Sequence, residues 1–162
     1  MLNGLYRWRD WQRKWRGEPL HAPAPAWKTG AVAVIGNGLG EVLWLKRDDV
    51  DFWILPGGGG KEKEAPWETA VRQTNEQTGL TVDLTDLTSV YVYENEAHAI
   101  FTFSAASPSG ALTTGLETDK FAWFAPGQEP DNSFAVHVEA AADAMSETGI
   151  TQFRFQPVNK KK

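Results

Sequence analysis

Leu55 to Leu80 reads LPGGGGKEKEAPWETAVRQTNEQTGL, and this stretch decides the fold. Four glycines interrupt regular structure just after the short apolar run Phe52-Trp53-Ile54-Leu55, which reads as a buried strand. A charged loop follows. Pro66 then suits the first turn of a helix, and Gly79 marks its end. On that helix, positions 73, 76 and 77 have the i, i+3, i+4 spacing that puts side chains on one face. They are Gln73, Glu76 and Gln77.

The register of Gly58, Glu64, Arg72, Glu76, Gly79 and Leu80 resembles the Nudix box, G-x5-E-x7-R-E-U-x-E-E-x-G-U, where U is aliphatic. Two further glutamates of that pattern fall on Gln73 and Gln77. The resemblance implies an α/β/α sandwich with a mixed β-sheet between helices. It also implies Mg²⁺- or Mn²⁺-dependent hydrolysis of a nucleoside diphosphate linked to another group. By the same resemblance, Gly57 and Gly58 form the cofactor-binding loop, and the Gly57 carbonyl, Glu76 and Gln77 are the metal ligands. Glu64, Arg72, Gln73 and Glu76 take the catalytic positions, with Arg72 tying loop to helix through Glu64.

The two glutamines weaken that expectation. An amide oxygen can coordinate a hard cation, but it carries no charge and cannot serve as a base at neutral pH. A positioned general base contributes roughly 10²–10⁴-fold. The metal is therefore expected to bind weakly if at all, and hydrolysis to be weak or lost. Glu62, Glu94, Glu96 and Glu117 are the candidate acids to stand in. Lys63 replaces the glycine usual before the first box glutamate, and Ala65 stands where a Ser or Thr commonly caps the helix, a loss of roughly 1 kcal/mol.

Outward from this stretch, Thr29–Ile35 and Glu41–Lys46 read as strands, joined as a hairpin by the glycines of 36–40. Beyond it, Leu87, Val90 and Val92 alternate as in a strand, pairing through 94–96 with a strand over 99–104. Ser107-Pro108-Ser109-Gly110 reads as a turn and Phe121–Phe124 as a strand. Phe134–Met145 reads as a helix with Val138, Ala141, Ala142 and Met145 on its apolar side. Phe153 and Phe155 are expected to add an apolar contact. His21, His98 and His137 form no metal-spaced pair and read as surface or packing residues, while Tyr91, Tyr93 and Trp123 read as core before base-stacking groups.

Residues 1–18 read as an amphipathic helix with Trp8, Trp11 and Trp15 on one face among arginines. Such a helix suits docking onto the same domain or a second subunit, so a homodimer is among the expectations. Residues 19–28 form a proline-rich connector, 29–157 the Nudix-like domain, and 158–162 a basic tail read as disordered. The net charge of −5 conceals basic ends around an acidic body, a poor surface for nucleic acid. With no cysteine and no apolar run of signal or membrane-spanning length, a cytoplasmic protein without disulfides is expected. Two alternatives remain beside a weak hydrolase: a non-catalytic ligand-binding relative, and an interaction module working through the N-terminal helix.

Overall fold

The computed structural model describes residues 27–47, 49, 51–93, 96–114, 118–146 and 149–156. The N-terminal helix, nearly all of the connector, the basic tail, Glu94 and Glu117 lie outside the described residues.

Strand β1 (Lys28–Ile35) is the central element. It pairs in parallel with β6 (His98–Ser109) and antiparallel with β4 (Gly57–Gly59). β6 pairs antiparallel with β5 (Thr81–Tyr93), and β5 in parallel with β8 (Gln152–Phe155). The result is a mixed five-stranded sheet in the order β4-β1-β6-β5-β8. A second, antiparallel sheet has β2 (Val42–Arg47) between β3 (Trp53–Ile54) and β7 (Thr118–Phe124).

Alternation along β1 builds a core on each face, because successive strand side chains point oppositely. Ala31, Ala33 and Ile35 face helix α1 (Pro66–Thr78), which contributes Ala70 and Val71. Val32 and Val34 face helix α2 (Ala135–Met145), which contributes Ala140 and Ala141. The two helices therefore cover opposite faces, giving the α/β/α sandwich. No described helix is long and apolar enough to cross a membrane.

Four local expectations change. Only the Gly36–Val42 bridge links β1 to β2, which otherwise join different sheets, so the glycine turn is a crossover between sheets and not a ladder-bearing hairpin. Ser107–Ser109 belong to β6, not to a turn. Pro108 is tolerated there because β1 pairs no farther than Ala105 and the β5–β6 register shifts between Thr81 and Asp83, opposite it. The buried stripe of α2 runs through His137, Ala140 and Ala141; Ala142 and Met145 are exposed. Phe153 and Phe155 are 74% and 75% exposed, so they add no core contact.

What fastens β8 is Arg154 between them. Its guanidinium donates to both Asp143 oxygens, from Nε at 2.9 Å and Nη2 at 2.5 Å. Tyr91 Oη donates to Asp143 Oδ2 at 2.9 Å, joining α2, β5 and β8. Burial, and then the Asp143 carboxylate beside it, push the Tyr91 phenol up. Asp143→Asn leaves the Arg154 charge without its counter-ion and is expected to destabilise the fold by about 2 kcal/mol, read as a lowered urea midpoint with unchanged m-value.

Candidate functional site

The glycine loop has no side chains to anchor it, so its position is set by what its backbone meets. Gly57 lies against β1, where a Cβ would come within 2.4 Å of the Ala31 carbonyl oxygen. A Cβ on Gly58 would meet Gln73 Cδ and Nε2 at 2.8 Å. At Gly57, against backbone, only glycine allows the approach; at Gly58 a Cβ would require Gln73 to move. Beyond the loop, Lys63 takes a left-handed φ of 64°, turning the chain towards α1 without the glycine the motif usually has.

Helix α1 starts at Ala65, which has no capping side chain; Glu68 supplies half of a capping box, its Oε2 accepting from Ala65 N–H at 2.9 Å. Gly79, in the left-handed conformation with φ 72°, ends it and donates to the Asn75 carbonyl. Between these ends the helix turns Arg72, Gln73, Glu76 and Gln77 towards the loop.

Arg72 is the hub. Its Nε and Nη2 donate to the two oxygens of Glu64 at 2.6 and 2.8 Å, a bidentate fork. Nη2 also donates to the Gly59 carbonyl at 3.1 Å, and Nη1 to Glu76 Oε2 at 3.0 Å. Glu64, with its side chain 13% exposed, accepts further from Lys61 N–H and Thr69 Oγ1. The Arg72 hydrogen bond first, then that from Lys61 N–H, hold its carboxyl at about 2, and the same pairing raises Arg72. The expected loop–helix tie is present.

Gln77 makes a different bond from the one its position suggests. Gly57 N–H donates to Gln77 Oε1 at 2.9 Å, and Gln77 Nε2 donates back to the Gly57 carbonyl at 2.9 Å. The N–H fixes which end of the amide is oxygen, so the Nε2 assignment follows from the bonding. The carbonyl expected to face a cation already faces an N–H donor. Gln73 Nε2 reaches the Gly59 carbonyl weakly, at 3.4 Å. Glu76, the remaining acid on the face, lies between Arg72 and Lys61, whose Nζ is 3.8 Å from Oε1.

This donor set is poor for a hard divalent ion: Glu76 is the one carboxylate on the helix face and is paired with Arg72, and the Gly57 carbonyl already accepts from Gln77 Nε2. Glu62 and Glu96 do not complete it: among the described residues no three Asp, Glu or His side chains gather as a metal site needs. Thr74, where the motif takes an aliphatic residue, is fully buried, and its hydroxyl has no partner among the described residues.

A cavity of about 350 Å³ opens beside the loop, bordered by Gly57–Gly59 and by Phe52, Ile54, His98, Ile100, Phe134 and His137. Sequence reasoning missed this group. The histidines are far apart in the chain, and β6 and α2 bring both to the same wall. Tyr91, Tyr93 and Trp123 do not line it; Tyr93 stacks on His98 at 5.8 Å, and Tyr91 is buried against Asp143.

The Glu64–Arg72 fork has a measurable pH signature. A carboxyl at about 2 in the fold and near 4.5 unfolded contributes stability that is complete above about pH 4.5 and is lost as pH falls towards 2. The urea midpoint of the wild type is expected to fall more steeply across that window than that of Glu64→Gln.

A model of the NUDIX domain family matches residues 26–143. A candidate 8-oxo-dGTP diphosphatase of Bacillus subtilis (strain 168) is 34% identical over 104 residues, covering 62% of this chain and 68% of that protein. A MutT-like protein of Streptomyces ambofaciens is 27% identical over 133 residues, 82% of this chain and 86% of the other. The crystal structure of a NUDIX hydrolase from Nitrosomonas europaea superposes with a TM-score of 0.71 over 88% of this chain and 84% of that one. Its 20% identity bears on the fold alone.

Proposed function

The chain belongs to the NUDIX family, and on that premise we propose that it binds a nucleoside-diphosphate-type ligand while hydrolysing it weakly or not at all. The observation that carries this reading is the reciprocal amide pair of Gln77 with Gly57. It occupies the carbonyl that a metal would use. It also keeps the glycine loop and the adjoining cavity in shape.

The binding half rests on shape and charge. At about 350 Å³ the cavity lies at the lower end of small-ligand sites, enough for a base and part of a sugar. Phe52 and Phe134, with ring centroids 6.5 Å apart, offer aromatic surface to a base. Arg47 borders the cavity itself, and at the loop Lys61 and Arg72, both beside Glu76, are further cations that would meet a diphosphate. The catalytic half is thin: Gln73 and Gln77 cannot take a proton from water, and Glu76 is engaged with Arg72. Mg²⁺ or Mn²⁺, which serve NUDIX hydrolases generally, would have to share the Gly57 carbonyl with the Gln77 amide or displace it.

A panel of 8-oxo-dGTP, ADP-ribose, nucleotide sugars and dinucleoside polyphosphates with Mg²⁺ or Mn²⁺ tests the catalytic half. Turnover below about 1 s⁻¹ is expected throughout. A rate in the ordinary enzymatic range for any of them rejects the impaired site. The double variant Gln73→Glu with Gln77→Glu removes the amide lock and adds two charges. Calorimetry should then show tighter divalent-cation binding than the wild type, and unchanged binding would dismiss this helix face as a metal site.

A further inference from the structure

The cavity wall is largely apolar, yet it includes one buried polar side chain with half of its hydrogen bonding unused. His137, in the first turn of α2, is 8% exposed. The backbone N–H of Leu55 donates to its Nδ1 at 2.9 Å, so that nitrogen is an acceptor. A neutral imidazole that accepts at Nδ1 carries its proton on Nε2. Burial keeps the ring neutral, lowering its pKa to about 4.

The ring is also held in place. Phe134 meets it edge to face at 5.0 Å, and turning it over would leave the Leu55 N–H without its acceptor. No described residue accepts from Nε2. Among the described residues the enclosed polar atoms without partners are hydroxyls of Thr74, Ser89, Thr102 and Ser133, and Nε2 is not among them. It therefore reaches open space, and the cavity is the space that His137 borders. A ligand that fills this space without an acceptor would leave this fixed, uncharged donor unpaired, so it discriminates between ligands that can and cannot accept from it.

We propose that His137 is a specificity-determining residue, donating its Nε2–H to a keto oxygen of a heterocyclic base lodged in this cavity. The assignment rests on the reading of the cavity as the base site. The neutral donor suits an uncharged ring acceptor better than a phosphate, and the neighbouring Phe52 and Phe134 suit a planar ring. The partner that satisfies His137 is thus a base carrying a carbonyl on its exposed edge.

Inosine and purine riboside test this, because only the first has a ring carbonyl. Each is titrated into the full chain, with affinity read by calorimetry and the His137 ring followed by ¹⁵N NMR. Inosine is expected to bind at least about tenfold more tightly and to shift the Nε2 resonance. In His137→Phe the preference should fall to about one. His137→Gln, whose amide can accept from Leu55 and still donate, should keep the fold and part of the preference. Equal affinities in the wild type, a full preference in folded His137→Phe, or a silent Nε2 signal with both nucleosides each overturns the assignment. The wild-type comparison decides even if His137→Phe fails to fold. IDP in the same series separates the readings: IDP binding no more tightly than inosine rejects the diphosphate ligand and leaves the His137 assignment standing, whereas tighter IDP binding without a His137 response overturns the assignment and leaves the diphosphate ligand standing.

Discussion

A strand of glycines holds its place only if its peptide groups are claimed from both sides. β4 meets β1 along one edge, and side chains of α1 hold the loop from the other direction. The Arg72 fork to Glu64, the Arg72 bond to Gly59 and the Gln77 bonds to Gly57 form one fastening. The cavity, the approach to β1 and the direction in which α1 leaves the loop all follow from it. Since Gly57 has no room for a Cβ against β1, the fastening there cannot be replaced by ordinary side-chain packing.

The chemistry at Gln77 turns on the difference between an amide and a carboxylate of nearly the same shape. A side-chain amide mirrors a peptide group and can both accept from an N–H and donate to a carbonyl. A carboxylate in its place would still accept from Gly57 N–H, but would repel the carbonyl oxygen unless something positive lay between them. The glutamine closes this contact with no third party. Around Glu76 the balance is similarly internal, because Arg72 and Lys61 flank its carboxylate. The site keeps its geometry through neutral and paired groups, as the proposed binding role requires.

The central helix and its stop at Gly79 were legible because they are local, and the tie of Glu64 to Arg72 followed from the resemblance to the Nudix box. The strands of the sandwich were also legible from alternation, as at Val90 and Val92. What escaped depends on distant segments meeting. Nothing near Gly36–Gly40 reveals that β1 and β2 enter separate sheets. The stripe on α2 was read from hydrophobicity, which favours Met145, whereas packing selected His137 because the Leu55 N–H required an acceptor. The Gln77–Gly57 bond was hidden for another reason. Sequence spacing says which residues share a helix face, but not whether an amide there will turn to a cation or to the neighbouring backbone.

The edge formed by β8 has a consequence for the molecule in a crowded solution. Phe153 and Phe155 face outward on a terminal strand beyond which no described strand pairs, a surface that invites addition of another β-segment. Between them Arg154 is drawn inward to Asp143, and the strand is only four residues long. A guest strand laid along this edge would find few backbone groups and a charged side chain already committed to its own fold. The ion pair that secures the last strand thereby also limits runaway sheet growth, so its loss would threaten colloidal behaviour as well as folding.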